Sequence, residues 1–162
     1  ALERHVDAMR GLGFVRHRTP LPARCAHGSF VAPTLVALDR VDRLAKEVFG
    51  PVLHVVEWDA ADLDALVDAI DASGYGLTMG IHSRIDATVA RIVSRARVGN
   101  LYVNRNMIGA AVGVQPFGGE GLSGTGPKAG GPHYLARFAV ERVRTVNTAA
   151  AGGNAALLAQ DK

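Results

Sequence analysis

The sequence predicts an α/β protein containing part of an open, largely parallel sheet with flanking helices. Short β-branched apolar runs (PVLHVVEW, LTMGIHS, NLYVN) recur along the chain, and two helical stretches with one apolar face separate them. The connections are short, so the order strand, helix, strand, helix, strand asks for right-handed crossovers between parallel neighbours. Size agrees: 162 residues, 48% hydrophobic and 20% charged, suit one domain able to bury a core.

The chain opens inside a helical pattern, with Leu2, Val6 and Met9 on one stripe of ALERHVDAMRGLG and no capping residue ahead of it. Gly11 and Gly13 stop that helix, and FVRH follows as a short strand. TPLPARCAHG is a Pro-containing connection. SFVAPTLVAL reads as a strand interrupted at Pro33, which puts that residue at an edge or bulge. Asp39 and Asp42 then suit the start of a short helix that ends near Glu47, because Gly50 and Pro51 do not continue it. PVLHVVEW is a buried strand.

Asp59 caps the next helix, where Leu63, Leu66, Val67 and Ile70 form an apolar face and Asp62, Asp64, Asp68 and Asp71 surround it. LTMGIHS is a strand, and Ser83 with Asp86 marks a helix start that carries Ile85, Val89, Ile92 and Ala96 inward. Arg91, Arg95 and Arg97 late in that helix suit its dipole. NLYVN is the following strand. ARFAVERVRTVN alternates as a terminal strand, and TAAAGGNAALLAQDK is a small-residue tail.

Composition removes several function classes. The net charge of +3 is scattered rather than gathered on a face, which argues against nucleic-acid binding. One cysteine, Cys25, leaves no internal disulfide framework and suits a reducing compartment, so the cytoplasm is the expected location. No apolar run reaches the ~18–20 residues of a membrane span. The six histidines show neither H-E-x-x-H nor a Cys/His pairing, so no metal site is expected.

The glycines are the outlying feature. Of 19 in the chain, nine (Gly109, Gly113, Gly118, Gly119, Gly121, Gly124, Gly126, Gly130 and Gly131) fall in the loop that follows NLYVN. A loop beyond ~12–15 residues in a compact domain is usually functional or disordered. This one starts at the carboxyl end of a parallel strand, where open α/β sheets bind ligands. Gly119, Gly121 and Gly124 make a formal G-x-G-x-x-G, but Gly126 and Pro127 break any helix after it, so a turn-forming run is the better reading. Cys25 and His27 form no compelling nucleophile and base pair, being two apart in an extended loop. In AKEVFGPV a carboxylate (Glu47) and an aromatic ring (Phe49) precede a Gly-Pro turn. Either they meet the ribose and flat ring of a nucleotide, or they are a helix end and a core phenylalanine.

Taken in order, KEVFGPV, GNLYVN and QPFGGEGLSGTG resemble the C-terminal half of the aldehyde dehydrogenase superfamily. Within it, IGAAVGVQPFGGEGLSGTGPKAGGPHYLARF followed by NTAAAGGNAALL is similar to the glutamate semialdehyde (pyrroline-5-carboxylate) dehydrogenase domain of bifunctional proline-degrading proteins. The resemblance implies NAD-dependent oxidation of glutamate γ-semialdehyde to glutamate, with FAD confined to a separate proline dehydrogenase part. It implies that Glu47 binds the nicotinamide ribose, with Phe49 lining that side of the cofactor. The backbone N–H groups of Gly109 and Ala110 would anchor the substrate α-carboxylate, and Phe117 would border the aldehyde channel. Residues 1–143 would then be an incomplete catalytic domain and 144–162 a C-terminal tail. The family's catalytic cysteine, activating glutamate, oxyanion asparagine and Rossmann domain have no counterpart here. The fragment is therefore expected to be inactive alone, or to act as a binding or assembly module, or to serve a different aldehyde. Its expected partners are the rest of a parent polypeptide and further copies of itself.

Overall fold

A computed structural model describes residues 1–111 and 113–147. Helix α1 spans Leu2–Gly11 and buries Val6 and Met9, as the stripe requires. It ends in two nested backbone bonds: the Phe14 N–H donates to Met9 O and the Gly13 N–H to Arg10 O, both at 2.9 Å. With Gly13 in the left-handed region (φ 77), this closure turns Phe14 back against the core. The chain then enters strand β1, Val15–Arg18.

β1 pairs antiparallel with β2, Thr34–Leu38, which pairs in parallel with β3, Val52–Val56. Strand β2 begins immediately after Pro33, so the proline ends the approach rather than interrupting the ladder. Thr34, Val36 and Leu38 are buried, and Val36 and Leu38 form the core cluster with Met9. Phe14, Val15, Leu44, Val52 and Val56 pack around it.

The helix expected to run from Asp39 towards Glu47 is instead a single 3-10 turn, Val41–Arg43. Asp39 is not its cap. Both its carboxylate oxygens accept from the Arg43 guanidinium at 2.9 Å, which holds the Asp39 carboxyl at about 2. Leu44 leaves the helical path to join the core, and Glu47 falls in an irregular connector.

Asp59 accepts from the Ala61 N–H at 2.8 Å and starts a 3-10 turn that runs into helix α2, Leu63–Asp71. Two residues of β4, Tyr75–Gly76, lead to β5, Thr78–Ile81, and then to helix α3, Asp86–Arg95. Ser83 opens the turn by accepting from the Ile85 N–H at 3.1 Å, but Ile85 itself is the extended residue before the helix. It therefore points off the helical stripe and is 64% exposed, against the expectation that it packs inward. Val89, Ile92 and Ala96 are half-buried. The late arginines meet α2 as well as their own helix end. Arg91 Nε donates to Asp64 and Arg95 Nε to Asp68, each at 2.7 Å, and the Arg97 N–H donates to Asp71 at 3.1 Å.

β5 pairs in parallel with β6, Asn100–Val103, across the α3 crossover. The two-residue β7, Glu120–Gly121, folds back antiparallel on β4. The architecture is α/β with open sheets and flanking helices. Its pairings divide among three sheets, ordered β1-β2-β3, β5-β6 and β4-β7. Among the described residues, ARFAVERVRTVN forms no strand. Leu135–Phe138 is a 3-10 turn and 139–146 forms no ladder, so Val140 and Val143 stay 91% and 82% exposed. An alternating pattern becomes a strand only when a neighbouring edge supplies the hydrogen bonds. Most of the expected tail, 148–162, lies outside the described residues. No helix among the described residues is long and apolar enough to cross a membrane.

Candidate functional site

The loop after β6 is launched by Asn104, the one non-glycine residue with positive φ (53°) among those described. Its side chain grips the turn before α3: Nδ2 donates to Ser83 O and Oδ1 accepts from the Ser83 N–H, both at 3.0 Å. Asparagine tolerates the left-handed region, and here the reciprocal amide bonds hold it there. The carboxyl ends of β5 and β6 are thus tied together directly below the loop.

From that base the loop divides in two. Residues 116–131 are packed down. Lys128 Nζ donates to the carbonyls of Gly99 and Gly118 and to Asn100 Oδ1, the last two at 3.0 and 3.1 Å. Asn100 in turn donates from Nδ2 to Pro116 O at 3.0 Å and accepts from the Gly118 N–H at 3.3 Å. Phe117 lies between these anchors, its own N–H and C=O paired with Ala129 at 3.0 and 2.9 Å. The approach is so close at Gly99 that any Cβ there would collide with the Gly118 carbonyl oxygen. The formal G-x-G-x-x-G opens no helix: Gly121 pairs with Tyr75, and the Gly76 N–H donates to Ser123 Oγ at 3.1 Å.

Residues 105–111 are built differently. The Ile108 N–H donates to Asn106 Oδ1 at 3.3 Å, and the Ala111 N–H donates to Gln115 Oε1 at 3.2 Å. Between them, the N–H groups of Gly109 and Ala110 have no hydrogen-bond partner among the described residues. Gly109 has φ 67° and open space where a Cβ would stand. Two successive free donors with no side chain over the first are chemically suited to an anionic oxygen.

Glu47 and Phe49 are elsewhere. Glu47 lines a cleft of about 520 Å³ with Leu44, Ile70, Thr78 and the Leu122–Ser123 tip of the packed half-loop. It also lines a second cleft of about 590 Å³ with Phe49, Leu2 and His5. Its carboxylate is exposed and makes no ion pair or hydrogen bond among the described residues. Phe49 is 87% exposed, which overturns the reading of a core phenylalanine. A free carboxylate beside a bare ring fits a ribose and a flat base. Neither Gly109, Ala110 nor Phe117 lines these two clefts, so cofactor and substrate candidates form separate groups.

Sequence reasoning missed Asn100, Asn104 and Lys128, the residues that shape the loop. A lysine among glycines has no local partner, and the acceptors it uses lie up to 29 positions upstream. Cys25 is half-buried and His27 exposed in the 3-10 turn Ala23–His27, with no side-chain bond between them. Among the described residues no group of three or more His, Cys, Asp or Glu could hold a metal.

The model of the aldehyde dehydrogenase family matches residues 10–144. The chain belongs to the aldehyde dehydrogenase family. Among relatives, it is 60% identical over 146 residues to the bifunctional protein PutA of Klebsiella aerogenes, covering 87% of this chain and 11% of that protein. It is 44% identical over 110 residues to 1-pyrroline-5-carboxylate dehydrogenase of Bacillus subtilis, covering 67% of this chain and 21% of the relative. A crystal structure of a Bradyrhizobium japonicum Proline Utilization A variant superposes with TM-score 0.83 at 56% identity, covering 93% of this chain and 15% of that one. The chain thus spans about a tenth of the length of the PutA relatives it matches. The aldehyde dehydrogenase match takes in β1 to β7, the first cleft, Glu47 and Phe49, and the whole glycine loop, while Leu2 and His5 of the second cleft lie before it.

Proposed function

We propose that this chain supplies the substrate-anchoring loop and part of the cofactor wall of an NAD-dependent L-glutamate γ-semialdehyde dehydrogenase of proline catabolism. The observation that carries the reading is the pair of free N–H donors at Gly109 and Ala110, flanked by N–H groups that side chains already occupy. Such a pair binds a carboxylate, which this substrate has and simple aldehydes lack. Support comes also from relatives named 1-pyrroline-5-carboxylate dehydrogenase and bifunctional PutA.

In this reading Glu47 accepts from the nicotinamide ribose hydroxyls, and Phe49 packs on the ring face. NAD, when bound, supplies the hydride acceptor. The chain's own residues bind and orient: Gly109 and Ala110 fix the α-carboxylate end, so the aldehyde end is presented at a constant distance, and Phe117 walls the channel. The nucleophile belongs to the remainder of a longer parent enzyme, as does any flavin of a proline dehydrogenase part. The setting we infer is cytoplasmic. The bare Phe138, Val140 and Val143 favour a compatible second role in contact with that parent or with another copy.

The test is the ratio of specificity constants for glutamate semialdehyde and for a short unsubstituted aldehyde in the full-length parent. Ala110→Pro removes one donor and restricts Gly109 as well. The ratio should fall about ten- to a hundredfold, since a hydrogen bond to a charged group is worth roughly 1.5–3 kcal/mol. An unchanged ratio would leave only an aldehyde dehydrogenase of unspecified substrate.

A further inference from the structure

The Gly109–Ala110 peptide carries both an anchor donor and a carbonyl, and the carbonyl is held. Tyr102, on β6 and only 6% exposed, donates from its phenolic O–H to Gly109 O at 3.3 Å. The peptide is trans, as are all those described, so its C=O and N–H point in opposite directions. Fixing the Gly109 carbonyl down onto the strand therefore aims the Ala110 N–H away from it, into the open side of the loop.

From this geometry we infer that Tyr102 is a positioning residue for the substrate carboxylate, acting through the Gly109–Ala110 peptide. The inference rests on the proposed anchoring role of that peptide. Glycine at 109 leaves the backbone free to rotate, and no Cβ contact within 4 Å restrains it. An exposed glycine turn without a tether samples many peptide orientations, and a carboxylate that needs one of them bears the entropic cost. The Tyr102 hydroxyl removes that freedom before substrate arrives. It also polarises the amide, because a carbonyl that accepts a hydrogen bond makes its own N–H a better donor.

The ring is itself braced. The Arg105 guanidinium lies over the Tyr102 face, 4.6 Å from the centroid, while Arg105 Nε donates to Asn106 O at 3.2 Å. Asn106 is the residue whose side chain occupies the Ile108 N–H. One chain of contacts thus runs from the buried phenol through Arg105 and Asn106 to the Ile108 flank of the anchor. The Tyr102 hydroxyl makes no other hydrogen bond among the described residues.

The test is a double-mutant cycle in the full-length parent enzyme with Tyr102→Phe, which deletes one oxygen and keeps the buried ring. The ratio of kcat/KM for glutamate semialdehyde to that for a short unsubstituted aldehyde should fall about three- to tenfold. The KM for NAD and the melting temperature should stay close to wild type, which a merely structural defect would not allow. In the Ala110→Pro background, where the aimed donor is already gone, Tyr102→Phe should leave the ratio unchanged. If Ala110→Pro lowers the ratio and Tyr102→Phe alone does not, or if the two effects simply add, the positioning role is wrong while the anchor stands. If Ala110→Pro itself leaves the ratio unchanged, the anchor reading falls first. Should Tyr102→Phe fail to fold, Arg105→Gln at the exposed brace enters the same cycle. A fall that vanishes in the Ala110→Pro background supports the role, and no fall overturns it.

Discussion

Lys128 reaches back 28 positions to Asn100, its Nζ donating to Oδ1 at 3.1 Å, and the pair together holds four backbone groups from residues 99, 116 and 118. An ammonium has three protons and no acceptor capacity, so three oxygens satisfy it. Among the described residues no carboxylate joins the cluster, and the contact therefore acts as a clamp on loop backbone rather than an ion pair. Lys128→Met should cost roughly 1.5–3 kcal/mol in the stability of the loop. Hydrogen exchange of the Phe117 and Gly118 amides reads this directly: their protection should drop while that of β2 does not. Equal loss in both places would mean the clamp is not local.

The close approach at Gly99 makes a prediction of opposite sign to the usual helix rule. Gly99→Ala drives a methyl group into the Gly118 carbonyl and should destabilise by roughly 1–3 kcal/mol. Gly11→Ala, at the last position of α1 with nothing within 4 Å, should be neutral or stabilising by up to about 1 kcal/mol. Urea unfolding of the two variants separates them, and equal midpoints would contradict the packing at residue 99.

Glu47→Gln tests the cofactor wall. The carboxylate has no partner within the described chain, so its loss should leave the melting temperature unchanged. If it accepts the ribose hydroxyls, the KM for NAD should rise about tenfold, because a charge-assisted bond is replaced by a neutral one. A wild-type KM for NAD and an unchanged turnover would remove Glu47 from the site.

The two histidines that join α1 to β3 should make this corner acid-sensitive. His5 Nε2 and His54 Nε2 stand 2.8 Å apart, one necessarily donor and the other acceptor, with the rings edge-on. Burial lowers both, assisted by Lys46 beside His5 and by His5 beside His54. For a base lowered in the folded state, the unfolded chain binds more protons in the window between the folded value and the ordinary 6.5. Stability should therefore be full above pH 6.5 and decline as pH falls through that window. His5→Gln should flatten the dependence. Identical melting-temperature profiles for variant and wild type between pH 7.5 and 5 would show that the pair does not titrate as described.

Much of the fold was legible in sequence because local rules and burial agreed there. The apolar stripe of α1, the Asp59 start before α2 and the strands β3, β5 and β6 stand where their residues place them, but β3 is not the buried strand expected, since Leu53 and Val55 are 62% and 40% exposed. The family was legible too, since KEVFGPV, GNLYVN and QPFGGEGLSGTG keep their order and spacing. The expected helix to Glu47 and the terminal strand failed because side-chain pairing and strand pairing, which periodicity does not report, decided them. Arg43, four positions on, drew Asp39 off its cap, and residues 139–146 met no strand edge among the described residues.

At the site, sequence alone determined that a long glycine loop follows a parallel strand and that Glu47 and Phe49 stand before a Gly-Pro turn. Tertiary structure decided which glycines pack and which stay open. Gly99 is needed because Gly118 arrives from 19 residues downstream, and Lys128 and Asn100 hold it there. The two free N–H groups emerge only because Asn106 and Gln115 occupy the neighbours on either side and Tyr102 holds the intervening carbonyl. A donor's freedom is a statement about every group that could have reached it, and that is set by the folded chain rather than by the residue itself.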